Sequence, residues 1–163
     1  MILIALGSNQ SGPWGNSEET VMRAFSALNT GPIKLIAASS LIVTEPFGII
    51  NQPKFVNAAV KIQTALSPTA LMGLLHMIER MAGRRRGRRW GPRTLDLDII
   101  DYNGQIKKQK GLVQKALILP HPGVAMRLFV LRPLNEIAPR WHHPLTHQTA
   151  ASMIQKLYGL SRT

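Results

Sequence analysis

Two aspartates in the second half of the chain have the spacing that places two carboxylates side by side. Asp96 and Asp98 are two residues apart in a segment that alternates apolar and polar residues, so in a strand their side chains leave the same face. Such a pair attracts hard cations, and Mg²⁺ commonly takes one or two carboxylates together with water and substrate phosphates. We expect Asp96 and Asp98 to be metal ligands and Asp101, on the opposite face, to take no part. Alone, the pair would equally fit an exposed strand face with incidental acids.

A dense group of arginines precedes the two aspartates. Seven of them fall within fourteen residues: Arg80, Arg84, Arg85, Arg86, Arg88, Arg89 and Arg93. The whole chain has 20 Lys+Arg against 8 Asp+Glu, a net charge of +12, so this segment supplies more than half of the excess. A basic run by itself fits an RNA-binding patch or a solvated surface. Two adjoining carboxylates would repel a nucleic-acid backbone, so the combination favours a metal-bound polyphosphate held by guanidinium groups.

Three further features could contact a ligand. Phe55 and Asn57 share the polar face of one predicted strand, and an aromatic ring beside an amide suits a flat heterocycle that forms hydrogen bonds. His121 lies between two prolines, in a stiff loop where an imidazole could meet a phosphate. Trp90 follows Arg89 in the basic segment. The alternatives are ordinary packing for Phe55 and Asn57, a cation-π or surface feature for Trp90, and a surface histidine for His121. The chain contains neither a P-loop nor a dinucleotide-binding glycine motif.

The composition is that of one compact domain over residues 1–163. Hydrophobic residues make up 45% of the chain and the mean hydropathy is +0.01, which excludes a disordered or collagen-like chain. The absence of cysteine excludes disulfides, thiolate metal sites and a cysteine nucleophile. The apolar start at residues 2–6 has no basic flank and predicts a strand rather than a signal peptide, and no apolar run is long enough to span a bilayer. We expect a cytoplasmic monomer without a membrane or nucleic-acid partner.

The hydrophobic pattern predicts the order β-α-β-β-α-β over the first hundred residues. Strands are expected at 2–6, 34–44, 54–64 and 95–102, and helices at 17–29, 68–82 and about 148–158, with short strands or extended segments at 117–119 and 128–131. Ser17 and Ser67 are the predicted helix caps, and Asn103-Gly104 is a hairpin-type turn. This order is typical of an α+β, ferredoxin-like fold, in which two helices cover one face of a mainly antiparallel sheet. The remaining residues form a C-terminal extension.

Seven blocks spread over nearly the whole chain carry a family resemblance. They are residues 5–9, 44–48, 52–58, 89–98, 120–122, 127–129 and 133–139. Together they resemble the 6-hydroxymethyl-7,8-dihydropterin pyrophosphokinase family, and the block Gly-Pro-Arg-Thr-Leu-Asp-Leu-Asp at 91–98 is highly specific to it. The resemblance implies a ferredoxin-like enzyme of folate biosynthesis that moves the β,γ-diphosphate of ATP onto the pterin hydroxymethyl oxygen and releases AMP. A paralogue with another acceptor, and a basic RNA-binding protein, are the alternatives.

The resemblance also implies roles for individual residues. Two Mg²⁺ ions would be held by Asp96 and Asp98, and the catalytic set would be Arg84, Arg93, Asp96 and Asp98. The pterin would contact Thr44, Pro46, Phe47, Gly48, Phe55, Asn57, Trp90, Asp96 and Phe129, with the ring stacked between Phe55 and Phe129. ATP would contact His76, Glu79, Arg86, Arg89, Arg93, Ile99, His121 and Arg127. His76 stands where many members have glutamine, and no residue is assigned as a general base.

Overall fold

A five-stranded antiparallel sheet with helices on both faces forms the protein. The computed structural model describes residues 1–46, 48, 51–85, 91–108 and 117–160. The strands are β1 (Ile2–Ser8), β2 (Ile33–Ala38), β3 (Ile42–Thr44), β4 (Phe55–Thr64) and β5 (Asp96–Tyr102); the helices are α1 (Ser17–Ala27), α2 (Pro68–Met81), α3 (Leu128–Ile137) and α4 (Ala150–Leu160). The strand order is β2-β4-β1-β5, and the short β3 also pairs with β4. This order and the antiparallel pairing confirm the ferredoxin-like α+β fold.

The central strand β1 is buried along its whole length because both faces of the sheet are covered. Ile2, Ile4 and Leu6 pack into one hydrophobic cluster with residues of α1 and α2, whereas Leu3 and Ala5 pack into a second cluster with residues of α3 and α4. A strand buried on both faces has no polar side to show, so it appears in the sequence as a continuous apolar run.

The two helices on the first face begin at well-formed caps. Asn16, rather than the predicted Ser17, caps α1, since its side chain accepts a hydrogen bond from Glu19 N at 2.9 Å and the Glu19 carboxylate accepts one from Asn16 N at 2.8 Å. Ser67 caps α2 as expected, with Pro68 in the first turn. The α2 stripe of Leu71, Leu75 and Ile78 is buried against the sheet.

The C-terminal extension covers the other face with helices, which corrects one prediction. Residues 128–131 were expected as a short strand or extended segment, but they form the first turns of α3. A run of four apolar residues does not distinguish the two states by periodicity, and here Val130, Leu131 and Leu134 together form a helical stripe buried against the sheet. Tertiary packing on a sheet face that the first half of the chain leaves uncovered decided the outcome.

Smaller differences concern the edges of the sheet. The predicted strand at 34–44 is two strands, β2 and β3, because the chain turns away at Ser39, where the Ser39 hydroxyl accepts a hydrogen bond from Ala59 N at 2.9 Å. Residues 117–119 form no strand, but Leu119 makes an isolated bridge with Lys107. The predicted turn at Asn103-Gly104 is confirmed, since both residues have positive φ angles, 52° and 70°.

A bulge in β5 changes the face of Asp101. Ile4 pairs with Ile99, whereas the preceding Leu3 pairs with Asp101, so β5 contains one extra residue at this point. The alternation of faces is therefore interrupted after Asp98 and before Asp101.

Asp101 consequently points to the face that carries α3 and α4, and the prediction that it lies opposite the other two aspartates is wrong. It is 3% exposed, and its two carboxylate oxygens accept hydrogen bonds from Trp141 Nε1 at 2.7 Å and Gly104 N at 2.9 Å. These bonds satisfy a buried carboxylate that would otherwise be costly. Among the described residues no helix is long and apolar enough to cross a membrane.

We expect the packing of α3 on the sheet to contribute strongly to stability. Leu131 is fully buried, so Leu131→Ala should lower the free energy of unfolding by about 2–5 kcal/mol through lost burial and the cavity left behind. Leu145 is 52% exposed, and the same substitution there should change stability by less than about 0.5 kcal/mol. Urea unfolding followed by circular dichroism measures both variants. Equal effects at the two positions would contradict the packing of α3 described above.

Candidate active site

A cleft of about 300 Å³ opens over β1, β4 and β5 and is closed on one side by the start of α3. Many of the side chains predicted for the site line it: Thr44, Phe55, Asn57, Arg93, Asp96, Asp98, His121, Arg127 and Phe129. Asp96, Asp98 and Arg93 come from β5 and the segment before it, whereas Phe55 and Asn57 come from β4 on the other side of β1. The cleft therefore combines an end suited to phosphate with an end suited to a flat ring.

Asp96 lies between two guanidinium groups at the charged end. Its Oδ1 accepts a hydrogen bond from Arg84 Nη1 at 2.5 Å, and its Oδ2 is ion-paired with Arg93 Nη1. The side chain of Asp96 is 21% exposed and those of Arg84 and Arg93 are 23% and 29% exposed, so these charges interact partly shielded from water. The pairing brings Arg84 and Arg93, which are nine residues apart in the chain, to the same carboxylate.

Asp98 faces the cleft without a close cationic partner among the described residues. Its side chain is 41% exposed, and the nearest ring nitrogen, His121 Nε2, is 3.8 Å from Oδ2. Burial and the neighbouring carboxylate of Asp96 raise the pKa of Asp98 to about 6, although Arg127 and Arg93 oppose the shift. A cation bound between two such carboxylates would relieve their mutual repulsion.

Glu79 stands behind this network, on α2. It is 5% exposed; its Oε1 accepts a hydrogen bond from Leu97 N at 2.8 Å and is ion-paired with Arg84. Burial raises the pKa of Glu79 to about 7, against the lowering effect of Arg84. Glu79 thus ties α2 to β5 and contacts the same Arg84 nitrogen, Nη1, as Asp96 does.

His121 is held as a neutral imidazole at the mouth of the cleft. Its Nδ1 accepts a hydrogen bond from Gly123 N at 3.1 Å, so the proton of the neutral ring is on Nε2, which points toward Asp98. Burial and the positive charge of Arg127 lower the pKa of His121 to about 4. At neutral pH the ring therefore offers a hydrogen-bond donor to the cleft and no charge.

Arg127, the residue before α3, folds back over Gly123. A Cβ at Gly123 would lie 2.8 Å from Arg127 Nε and 2.9 Å from Cζ, so the absence of a side chain there allows this position. The guanidinium carbon is also 5.9 Å from the centre of the Phe129 ring. Arg127 thus joins the charged end of the cleft to its aromatic end.

The other end of the cleft is built from β3, β4 and the start of α3. Asn57 is 4% exposed, and its Nδ2 donates to Thr44 Oγ1 at 2.7 Å, which leaves its Oδ1 on the side of Gly7. A Cβ at Gly7 would be only 3.1 Å from that Oδ1, so the glycine leaves this acceptor room. Phe55 and Phe129 line the cleft beside it.

Several predicted site residues do not line this cleft in the described part of the chain. Ile99 is in the core on the α1 and α2 face, and Glu79 is on α2 behind the arginines. His76 is half-buried on α2. In the segment after β3, Pro46 is buried and Gly48 is exposed. Phe47, Arg86, Arg89 and Trp90 lie outside the described residues.

Sequence reasoning missed three residues that shape the site. Gly7 and Gly123 matter for the room they leave, and Asn9 joins two segments beside the cleft. The available signal was a Gly-Ser-Asn triplet directly after an apolar strand, which predicts a turn but does not identify what the turn contacts.

The fold and the cleft together define a class of protein: a ferredoxin-like α+β protein whose cleft combines arginine–carboxylate pairs with two aromatic rings. The family model of 7,8-dihydro-6-hydroxymethylpterin-pyrophosphokinase (HPPK) matches residues 3–139. The chain belongs to this family.

Individual relatives agree with this assignment. Folic acid synthesis protein fol1 of Pneumocystis carinii is 36% identical over 156 residues, which are 96% of this chain and 20% of that protein. The 2-amino-4-hydroxy-6-hydroxymethyldihydropteridine pyrophosphokinase of Bacillus subtilis is 42% identical over 135 residues, covering 82% of this chain and 75% of that enzyme. The chain therefore spans a fifth of the fungal relative's length and three quarters of the bacterial one's.

A solved structure shares the fold. The crystal structure of HPPK-DHPS in complex with substrates aligns with 99% of this chain and 44% of its own length, with a TM-score of 0.72 and 16% identity. At that identity the likeness concerns the fold alone, and it supports the ferredoxin-like arrangement.

We expect Glu79 to stabilise the protein mainly as a hydrogen-bond acceptor. Glu79→Ala leaves the buried Leu97 N–H without its acceptor and should cost about 1–3 kcal/mol of unfolding free energy. Glu79→Gln keeps an oxygen at that place and should cost less. Because the folded pKa of Glu79 is raised from 4.5 to about 7, protonation stabilises the folded wild type, which should gain stability relative to Glu79→Gln as the pH falls from 7 to 4.5. Urea titrations at several pH values measure both effects, and equal losses in the two variants at neutral pH would show that the charge matters instead.

Proposed function

We propose that the cleft between Phe55 and Phe129 is where this chain carries out its family's reaction, with the residue roles given below. The chain is an ATP-dependent diphosphokinase of folate synthesis: it transfers the β,γ-diphosphate of ATP to the hydroxymethyl group of 6-hydroxymethyl-7,8-dihydropterin. The observation that carries the assignment of the site is the meeting, in one cleft, of Arg93, Asp96 and Asp98 with those two aromatic rings.

At the ring end, the pterin stacks between Phe55 and Phe129, and Asn57 reads its polar edge. The Thr44 hydroxyl occupies Asn57 Nδ2, so the amide presents its Oδ1 to the cleft as an acceptor. A pterin carries N–H donors along one edge, and an acceptor held in a buried position selects for them because an unpaired polar group there is costly.

At the charged end, Arg84 and Arg93 neutralise the phosphates of ATP. Each guanidinium group now binds one carboxylate oxygen of Asp96, and phosphate oxygens offer more acceptors at higher charge. Arg127 adds a third positive charge near the aromatic end, and neutral His121 adds an N–H donor. Charge stabilisation and positioning are what phosphoryl-type transfer mainly requires of a protein.

Asp96 and Asp98 fit the magnesium ions that the family reaction implies. Both are oxygen donors at the cleft, and Asp98 is partly exposed there and destabilised as an anion by its neighbour. Among the described residues no group of three or more His, Cys, Asp or Glu is placed to hold a metal ion, so the remaining ligands would be water and substrate phosphate. Bound Mg²⁺ supplies charge neutralisation to the transferring group.

In the transfer itself, the hydroxymethyl oxygen attacks the β-phosphorus in line with the oxygen that bridges to the α-phosphate. The new bond joins the pterin oxygen to the β-phosphorus, the bond to the bridging oxygen breaks, AMP leaves with that oxygen, and the hydroxyl proton is released to solvent. No general base is assigned.

Glu79 positions Arg84, while contacts of ATP with His76 and Ile99, and with the side chains outside the described residues, stay predictions. The chain is proposed to act as a single monomeric domain in the cytoplasm.

Nucleotide analysis tests the function directly. Purified protein with Mg-ATP and 6-hydroxymethyl-7,8-dihydropterin should produce AMP, and omission of the pterin or addition of excess EDTA should abolish it. An ordinary kinase or ATPase would produce ADP. Bound ATP without AMP would instead favour a different acceptor, and tight, salt-sensitive RNA binding without ATP binding would favour a nucleic-acid role.

Asp98 should be essential for turnover and dispensable for folding. Asp98→Asn keeps the shape but removes the charge, and we expect AMP formation to fall by at least about a hundredfold. Since Asp96 and Asp98 repel each other, the variant should unfold at a temperature no lower than the wild type. Near-normal turnover would contradict the metal assignment.

The Thr44 hydroxyl should contribute to pterin binding through Asn57. Thr44→Val removes the acceptor for Asn57 Nδ2 and should raise the dissociation constant for the pterin about five- to tenfold, the effect of roughly one hydrogen bond. Thr44→Ser keeps a hydroxyl and should stay within about twofold of the wild type. Fluorescence titration with the pterin measures both; similar weakening in the two variants would exclude this role.

A further inference from the structure

Asn9 is a buried polar side chain that follows β1 directly and lies beside the cleft rather than on its wall. It is 2% exposed, and its amide is fully engaged. Oδ1 accepts a hydrogen bond from Arg93 N at 2.8 Å, while Nδ2 donates to Gln52 Oε1 and to Pro53 O, both at 2.9 Å. One planar amide thus joins two segments that are some forty residues apart in the chain.

The two segments serve opposite ends of the cleft. Gln52 and Pro53 lead into β4, whose first residues Phe55 and Asn57 line the ring end. Arg93 carries the guanidinium group that is paired with Asp96 at the charged end. Asn9 N also donates to Arg93 O at 3.0 Å, so residues 9 and 93 are bonded in both directions.

The residues after Asn9 contact both chain ends of the arginine segment. A Cβ added to Gly12 would lie 2.9 Å from Thr94 Cγ2 and 3.0 Å from Ala82 O. A Cβ added to Gly83 would lie 2.4 Å from Pro13 Cδ. The segment 9–13 is therefore packed tightly against residues 82–83 and 93–94, and a shift of one contact displaces the others.

Neighbouring hydroxyl groups do not duplicate the bonds of Asn9. Ser8 and Thr94 flank the contact between residues 9 and 93, and both hydroxyl oxygens are buried without a hydrogen-bond partner among the described residues. Of these three neighbouring side chains, that of Asn9 is the one that bonds residues 52–53 to Arg93.

We propose that Asn9 is a positioning residue that transmits the position of residues 52–53 at the ring end to Arg93 at the charged end. A rotation of the amide that breaks its bonds to Gln52 and Pro53 also moves Oδ1 away from Arg93 N, because the group is planar and rigid. A pterin that restrains the start of β4 therefore restrains Arg93, and by linkage a restrained Arg93 favours pterin binding. The inference rests on the proposed function for the identity of the two ligands, but the connection itself can be tested without them.

The first experiment measures hydrogen exchange of the Arg93 amide by NMR in the ligand-free protein. Asn9→Asp retains an acceptor for Arg93 N but places an oxygen against Gln52 Oε1 and Pro53 O, so only the ring-end bonds are broken. We expect the Arg93 amide of this variant to exchange at least about fivefold faster than that of the wild type.

Two variants of Gln52 keep the proposal testable if Asn9→Asp fails to fold. Gln52→Ala removes one acceptor of Asn9 Nδ2 and should also accelerate Arg93 exchange, whereas Gln52→Glu retains the acceptor and should leave it within about twofold of the wild type. Arg93 exchange that is unchanged in both Asn9→Asp and Gln52→Ala would overturn the proposal, because the bonds of Asn9 would then be independent.

The second experiment adds the pterin and measures turnover. Pterin should slow exchange of the Arg93 amide in the wild type and in Gln52→Glu but not in Asn9→Asp. At saturating substrates the kcat of Asn9→Asp should fall about tenfold, whereas its KM for ATP should change less than about twofold. An equal response to pterin in all variants would overturn the coupling. A wild type that makes no AMP would refute the proposed function alone, since the ligand-free exchange rates would still decide the role of Asn9.

Discussion

The ion pair between Asp96 and the guanidinium groups of Arg84 and Arg93 is the interaction on which the cleft depends. Three of the eight acidic residues of a chain with a net charge of +12, Glu79, Asp96 and Asp98, lie within this one site. Carboxylates gathered this closely are costly unless positive charge compensates them. Burial and the neighbouring carboxylates raise the pKa values of Glu79 and Asp98, whereas the nearby arginines oppose the shift. Under the proposed function, phosphate would take over the guanidinium groups of Arg84 and Arg93 while a divalent cation took over Asp96, so these pairs would be exchanged with little loss of charge compensation.

The rest of the fold positions this charge network. β5 supplies the two aspartates, α2 supplies Glu79 from behind, and the bulge in β5 turns Asp101 to the face of α3 and α4, where it accepts a hydrogen bond from Trp141. The bulge matters because an uninterrupted strand would have given Asp101 the opposite face and left Trp141 Nε1 without this acceptor. A single extra residue in β5 therefore lets Asp101 bond to Trp141 on the same face as Asp96 and Asp98.

The C-terminal extension provides the second wall of the site. α3 packs on the sheet through Val130, Leu131 and Leu134, and this places Arg127 and Phe129 over the cleft. Small residues permit the close approaches: Gly123 lies under the Arg127 guanidinium, and Gly7 leaves room for the Asn57 amide. A ferredoxin-like sheet alone would leave this face bare, so the extension both completes the core and forms the ring end of the cleft.

The sequence by itself determined the fold class, the two helices with their strong apolar stripes, and the nearness along the chain of two carboxylates to a group of arginines, since these depend on local periodicity and on residue type. That Asp96 is ion-paired with Arg84 and Arg93 came from the structure. The family resemblance, carried by motifs such as residues 91–98, named the function and the aromatic residues of the site. Only the tertiary structure decided that residues 128–131 are helical, that the strand at 34–44 is divided at Ser39, and that Asp101 faces Trp141. It also decided that Asn9 joins two distant segments. The physical reason is common to these cases: a short apolar run, a bulge or a buried amide is settled by partners far away in the chain, and local sequence does not specify them.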